Sequence, residues 1–301
     1  MNDLINLQIM MFLMIFAGLI VKRIGLVNEE GKKNITDLVL YLILPANIIK
    51  SFTEELGEGA FKSFLSILII SILIQVGCVI LGKIFFRKAD EGKRKCLQYG
   101  LICSNAGFLG NPIAEGVFGS MGLTLASVYL IPQRIMMWSS GLAVFSGQTD
   151  KRAMFKKVAS HPCILACAIG LFLMVTGLRL PEFLDRSVDA LASCNTALSM
   201  MVVGMILVEA DIRTLFDRQV LSYSFVRLIL IPLLVFLPCL ALKVDSTVTG
   251  VSVLLAAMPA GATTSILASK YQQDSVFATK MVVCSTLLSL FSTAVWSFIL
   301  I

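Results

Sequence analysis

Two short stretches place residues that break helices and bind anions in the middle of otherwise apolar runs. The first is Ser104-Asn105-Ala106-Gly107-Phe108-Leu109-Gly110-Asn111-Pro112, and the second is Met258-Pro259-Ala260-Gly261-Ala262-Thr263-Thr264-Ser265. Proline removes an amide donor and clashes with the preceding turn, and glycine weakens a helix, so each stretch predicts two half-helices joined by a short extended link. Because proline suits the first turn of a helix, new half-helices are expected to begin near Pro112 and Pro259. The amino end of a helix carries partial positive charge and free N–H donors. Two such ends meeting at one depth therefore form a site for an anion, particularly a carboxylate. Asn105 and Asn111 add donors and acceptors able to orient a carboxylate, the alternative for both being hydrogen bonds between helices. Thr263 and Thr264 either add hydroxyls from the other side or bond their own backbone.

Arg134, in Ile131-Pro132-Gln133-Arg134, lies near the centre of another apolar run. A central arginine costs about 2.5–3.5 kcal/mol on insertion scales, so it must face protein or water and have a partner. Glu115, one turn beyond the first break, is the nearest acid to it within the predicted spans. Either Arg134 supplies fixed positive charge to a substrate, directly or through Glu115, or the two form a structural ion pair. Pro45, Asn47 and Asn195 have polar or helix-breaking character in other spans and either form a wall beside the crossing, with Asn195 reaching the substrate, or serve ordinary helix packing. Arg227, close to a predicted helix end, is expected to snorkel to the interface. His161, the one histidine, is expected to start a helix beside Pro162.

The elements that must hold these residues follow from composition. With 57% hydrophobic and 15% charged residues over 301 positions, the chain departs far from the roughly 45–50% and 25% of soluble domains. Each bilayer crossing needs about 20 apolar residues. The runs between breaks give ten candidates: Leu4 to Val21, Ile35 to Phe52, Phe61 to Phe86, Cys96 to Phe118, Met121 to Phe145, Pro162 to Gly177, Val188 to Val208, Val220 to Leu242, Val248 to Tyr271 and Ser275 to Leu300. All are expected to be helices, because an open strand in hydrocarbon leaves backbone groups unpaired. The first is read as a retained span, since Met1 to Asn6 lacks the positive start of a signal peptide.

Most of the 25 Lys and Arg residues fall in the odd-numbered connections. By the positive-inside rule that side is cytoplasmic, which places both termini outside a multi-pass protein of the cell membrane. The placement of Pro112 and Pro259 repeats at an offset of about 150 residues, so residues 1–145 and 146–301 read as two five-helix repeats. Five being odd, the second inserts upside down, a transporter arrangement. An enzyme would need paired carboxylates, a Ser/His set or clustered metal ligands, none of which is present. The run Gly77 to Lys83 matches GxxxxGK, but it sits in an apolar helix with Ile84 in place of Ser or Thr. The eight cysteines show no CxxC spacing and read as buried hydrophobes. No cofactor, metal or nucleic-acid partner is expected. A ligand sensor without flux is the competing class.

The run Asn105-Ala106-Gly107-Phe108-Leu109-Gly110-Asn111-Pro112-Ile113 resembles the fourth-helix signature of the auxin efflux carrier family, which includes bacterial relatives of plant PIN proteins and malonate transporters. Leu44-Pro45-Ala46 and Met258-Pro259-Ala260 are similar to its other marks, and the resemblance extends over essentially the whole chain. It implies an NhaA-like inverted repeat with crossed, broken fourth and ninth helices. A scaffold of helices 1, 2, 6 and 7 would hold a transport domain of helices 3–5 and 8–10. It further implies a homodimer in the lipid bilayer, export of small organic anions by an elevator movement, and Asn111, Pro112 and Pro259 in the substrate region. The long cytoplasmic loop of the canal-forming plant members is missing here. Apart from Glu115 the spans hold no central carboxylate for a coupling ion. The sequence therefore favours movement of an anion down its own gradient, with proton or sodium coupling as the alternative.

Overall fold

The computed structural model describes residues 2–53, 60–146, 159–208 and 215–300. Among these the chain is all helical. The helices are α1 (Asn2–Arg23), α2 (Glu29–Thr53), α3 (Ala60–Phe85), α4 (Glu91–Ile102), α5 (106–118), α6 (120–146), α7 (Pro162–Thr176), α8 (Glu182–Leu207), α9 (Arg218–Ala241), α10 (Ser246–Ala256), α11 (Thr263–Lys270) and α12 (Ser275–Leu300). No strand occurs among the described residues, only one isolated antiparallel bridge between Ser104 and Ala260.

Polarity runs inside out. On α3, Phe61, Leu65, Ile69, Leu73, Val76 and Ile80 recur at helical spacing on an exposed face, while Ser71 and Gln75 of the same helix are buried. Water would not tolerate that apolar stripe, and hydrocarbon requires it. Six stretches are long and apolar enough to cross a bilayer: Glu29–Thr53, Phe61–Phe85, Ala106–Phe145, Glu182–Leu207, Arg218–Ala241 and Ser275–Leu300. The third doubles back between α5 and α6. Gly119 there takes φ 64° and ψ −157°, a left-handed geometry that side chains resist. Just beyond it, a Cβ on Gly122 would fall 2.2 Å from the Ala114 carbonyl oxygen.

Three of the prolines inside these helices follow a pattern, which Pro132 and Pro238 do not share. Val39–Ile43, Ala106–Gly110 and Val226–Leu230 are π turns, and each is followed by one residue and then a proline: Pro45, Pro112 and Pro232. The wider turn accommodates a ring that lacks an N–H, and leaves carbonyls to be bonded from elsewhere. The carbonyl of Leu228, four residues before Pro232, accepts instead from the Trp296 indole Nε1 at 2.9 Å.

Helices α1 and α8 pack most intimately, and a Cβ at Gly204 would strike the Ile15 carbonyl oxygen. Helix α2 lies against α7 and α8, where Lys50 bridges Asp189 at 3.0 Å. Helix α9 packs on α10 and α12, α11 on α12, and α3 on α4. Ser71 Oγ ties α3 to α6 by donating to the Tyr129 carbonyl at 2.6 Å.

Candidate functional site

The two proline- and glycine-rich stretches meet. Helix α4 stops at Ile102 and α10 at Ala256, and between each and its continuation the chain is extended or turned. The links run antiparallel and bond each other: Asn105 N–H donates to the Pro259 carbonyl at 2.8 Å, and Gly261 N–H donates to the Cys103 carbonyl at 3.0 Å. Side chains from α6 and α12 pin them. Ser104 Oγ donates to Gln133 Oε1 at 3.0 Å while Gln133 Nε2 donates to the Ser104 carbonyl at 2.9 Å. Ala260 N–H donates to Ser285 Oγ at 3.2 Å.

The restarts are not at the prolines. Helix α5 begins with the π turn at Ala106, before Pro112, which lies within the helix directly after that turn. Helix α11 begins at Thr263, after Pro259, which stays in the link and supplies an acceptor carbonyl. The π turn explains the first displacement. Ring and helix coexist because the preceding turn is widened, so proline does not mark a start.

Neither new amino end is capped by a side chain. Other helices are capped, with Asn28, His161, Asp217 and Asp245 accepting from first-turn amides, although α4 and α8, behind Asp90 and Pro181, are not. Both uncapped ends border one cavity of about 250 Å³, whose wall includes Asn105, Gly107, Gly261, Thr263 and Arg134, with Asp37 and His161 also lining it. Arg134 is 6% exposed, and its Nη1 has no hydrogen-bond partner. Its Nη2 lies 3.9 Å from the position of a Cβ on Gly107, in the first turn of α5. A guanidinium beside the positive end of a helix is held against its own electrostatics. An anion between them would turn that repulsion into two attractions.

Thr263 Oγ1 lies 3.1 Å from Cys103 Sγ and accepts from the Tyr99 hydroxyl at 3.5 Å. His161 caps α7 through Nδ1, which accepts from Cys163 N–H at 3.3 Å. It lies just outside that helix, and burial, reinforced by Arg134, pulls its pKa down to about 4. Among the described residues no three His, Cys, Asp or Glu side chains group as a metal would require.

Of the residues singled out in the sequence, Asn105, Arg134 and Thr263 line the cavity. Pro112 and Pro259 are buried beside it in the chain, and Thr264 is buried with its hydroxyl unpartnered. Asn111 is fully buried, and neither amide atom has a partner. Glu115, one turn further on, accepts from Asn47 Nδ2 at 3.3 Å, a bond to α2. Asn195 accepts from Ser199 Oγ at 3.2 Å through Oδ1, with Nδ2 unpartnered, and lies on α8 before the cavity-lining Val202 and Val203. Pro45 is half-buried after its π turn.

Arg227 overturns its expected placement. It does not reach an interface: it is fully buried, and the largest of the side chains that are. Its Nε donates to the Met258 carbonyl at 2.8 Å, and Nη1 donates to the Leu101 carbonyl at 3.0 Å and to Cys78 Sγ at 3.5 Å. Gln133 and Ser285 were also outside the expected set. Their only sequence signal is a polar residue in an apolar run.

Described residues that are all helical, with an apolar outer surface and a cavity holding a buried arginine at two interrupted helices, have the organisation of a membrane transport protein. Residues 4–297 match the membrane transport protein family, and the chain belongs to it, the family of the auxin efflux carriers. It is similar to an uncharacterized transporter of Methanocaldococcus jannaschii, 23% identical over 98% of both chains. A second, from Methanothermobacter thermautotrophicus, is 27% identical over 95% of both. The uncharacterized transporter YfdV of Escherichia coli is 24% identical over 99% of this chain and 96% of its own.

Proposed function

We propose that the protein is a secondary transporter that exports small organic anions, carboxylates of auxin-like or malonate-like size, by elevator-type alternating access. The observation that carries this is the cavity where two uncapped helix amino ends and the unpartnered Nη1 of Arg134 converge. Asn105 and Thr263 orient the carboxylate from the two links, and Asn111, Pro112, Pro259, Thr264 and Asn195 shape the surroundings. The chain crosses the bilayer ten times as two inverted five-helix repeats, α4 with α5 and α10 with α11 serving as the broken fourth and ninth spans. The scaffold is α1, α2, α7 and α8, whose mutual packing supports the division. The rest forms the moving body, and two copies associate through their scaffolds. Both termini are extracytoplasmic.

On that topology Asp37 and His161, at the starts of α2 and α7, put the cavity mouth on the cytoplasmic side, as an exporter awaiting substrate requires. The far side is closed by bonds from α2 to the α5–α6 hairpin, Asn47 to Glu115 and Thr124 Oγ1 to the Ser51 carbonyl at 2.7 Å. The inside-negative potential favours anion exit by about 2.3 kcal/mol per charge per 100 mV, so no coupling ion is required.

A thermal-shift panel of mono- and dicarboxylates on the purified protein, followed by flux in vesicles, tests the reading. Stabilisation rising with concentration, and saturable uptake stimulated by substrate on the opposite side, are expected. Binding without flux would make the protein a sensor. Flux that ignores membrane potential but follows a proton or sodium gradient would make it a coupled carrier.

A further inference from the structure

The two interrupted helices have carboxyl ends as well as amino ends, and the protein treats the two poles differently. The end of α4 and the link after α10 place the Leu101 and Met258 carbonyls, buried and without continuing helix, against one guanidinium. Among the described residues no carboxylate bridges Arg227. Each helix carboxyl end carries about half a negative charge, so two ends together balance about one cation. The Tyr223 hydroxyl adds a bond of 2.8 Å to the Gly100 carbonyl, one residue before Leu101. Arg227 itself sits in the π turn before Pro232, where the backbone is widened and α12 bonds the freed Leu228 carbonyl.

We propose that Arg227 is the positioning residue of the crossing: its charge neutralises both carboxyl ends and its planar fork ties them into one body, which fixes the links that carry the two amino ends. Nothing in this depends on what the cavity binds. Without Arg227, two buried carbonyls lose their donor and two like poles face each other. The links would separate first, because two backbone bonds are all that joins them directly.

Cross-linking across the links tests this without a substrate. Ser104 and Ala260 are the bridge partners, and the bonds from Asn105 and Gly261 make them the close, non-hydrogen-bonded kind of pair, with Cα atoms about 4.5 Å apart and within disulfide reach. Ser104→Cys with Ala260→Cys, in full-length protein with Cys103→Ser, is oxidised in membranes, and the rate is compared among chains carrying Arg227, Lys, Gln or Met at position 227. Arg227→Lys should remain within about threefold of the parent rate. The neutral Gln and Met chains should be at least about tenfold slower, or fail to accumulate folded while the Lys chain does. Parent-rate cross-linking in either neutral chain would overturn the proposal, and so would an Arg227→Lys chain as defective as Arg227→Met. A negative carboxylate panel, by contrast, would strike the cavity's proposed ligand and leave Arg227 untouched.

Discussion

The two poles of the broken helices share a backbone, a depth and an arginine each, yet their surroundings are opposite. At the carboxyl pole, Arg227 is fully buried and donates to carbonyls of both helices. At the amino pole, both ends lack side-chain caps, and Arg134 adds positive charge with one nitrogen unpartnered. At the carboxyl pole the fold supplies backbone acceptors to Arg227 Nε and Nη1 and leaves Nη2 without one. The amino pole differs in bordering a cavity, as a site that must take up and release an anion requires. Unsatisfied buried polar groups are rare in native proteins, and each calls for an explanation. Buried polarity alone therefore does not distinguish structure from function here. What sets the amino pole apart is that its arginine borders a cavity, while Arg227 is held between two backbone carbonyls.

The largest effects should come from exchanging the two arginines for apolar residues. Arg227→Met is expected to lower stability by about 3 kcal/mol or more, the range for truncating one member of a buried charged network. Arg134→Met should leave the thermal midpoint unchanged or raised, since it removes a desolvated cation without a full set of partners, while carboxylate uptake falls by about a hundredfold or more. Unfolding of purified protein beside flux in vesicles checks both. Equal destabilisation by the two substitutions would erase the contrast between the poles. Arg134→Lys keeps the charge but loses the bidentate fork, so uptake should fall about tenfold, between the parent and Arg134→Met.

A smaller and more pointed effect is expected from Asn105→Asp. The residue occupies the cap position of α5 without capping it. A carboxylate there can accept from first-turn amides and offset the helix pole, stabilising the protein by about 0.5–2 kcal/mol. It would also place a permanent anion where the transported one is proposed to sit. Higher thermal midpoint with lost carboxylate binding is the expected pair. Improved binding in the Asp chain would show that the amino end of α5 is not where the anion rests.

How far the sequence discloses this contrast depends on how local the physics is. The interruptions are legible because proline and glycine act on their own backbone, and the matched offset of Pro112 and Pro259 already suggests that the links meet. Cavity residues Asn105, Arg134 and Thr263 are legible for the same reason, as polar groups in apolar context. The restart points are not, because the π turn at Ala106–Gly110 moves the boundary of α5 ahead of Pro112. Arg227 is illegible for a different reason. Its acceptors lie 31 and 126 residues away, and proximity to a helix end favours snorkelling until those carbonyls are placed. The crossing's supports, Gln133 and Ser285, share that difficulty, since a polar residue in an apolar run announces the need for a partner without naming it.

The smallest effect concerns the cavity wall, where His161 lies near Arg134. Burial first, and the neighbouring guanidinium second, hold its pKa at about 4 against an ordinary 6.5, so the neutral ring is the native form. The sign follows from linkage: the unfolded chain takes up this proton more readily, so the residue's contribution is complete above about pH 6.5 and is lost as pH falls toward 4. His161→Asn keeps an acceptor for the Cys163 amide and removes the titration. Its thermal midpoint should therefore decline less than the parent's between pH 6.5 and 4.5, with no difference at pH 7.5. Carboxylate uptake between pH 7 and 8 should be the same in both proteins, because the ring is neutral throughout and adds no charge to the amino pole. A titration step in uptake near pH 7 that disappears in His161→Asn would mean that the ring does gain a proton there. Asp37 lines the same cavity, and such a step would mean that its carboxylate offsets Arg134 at the ring.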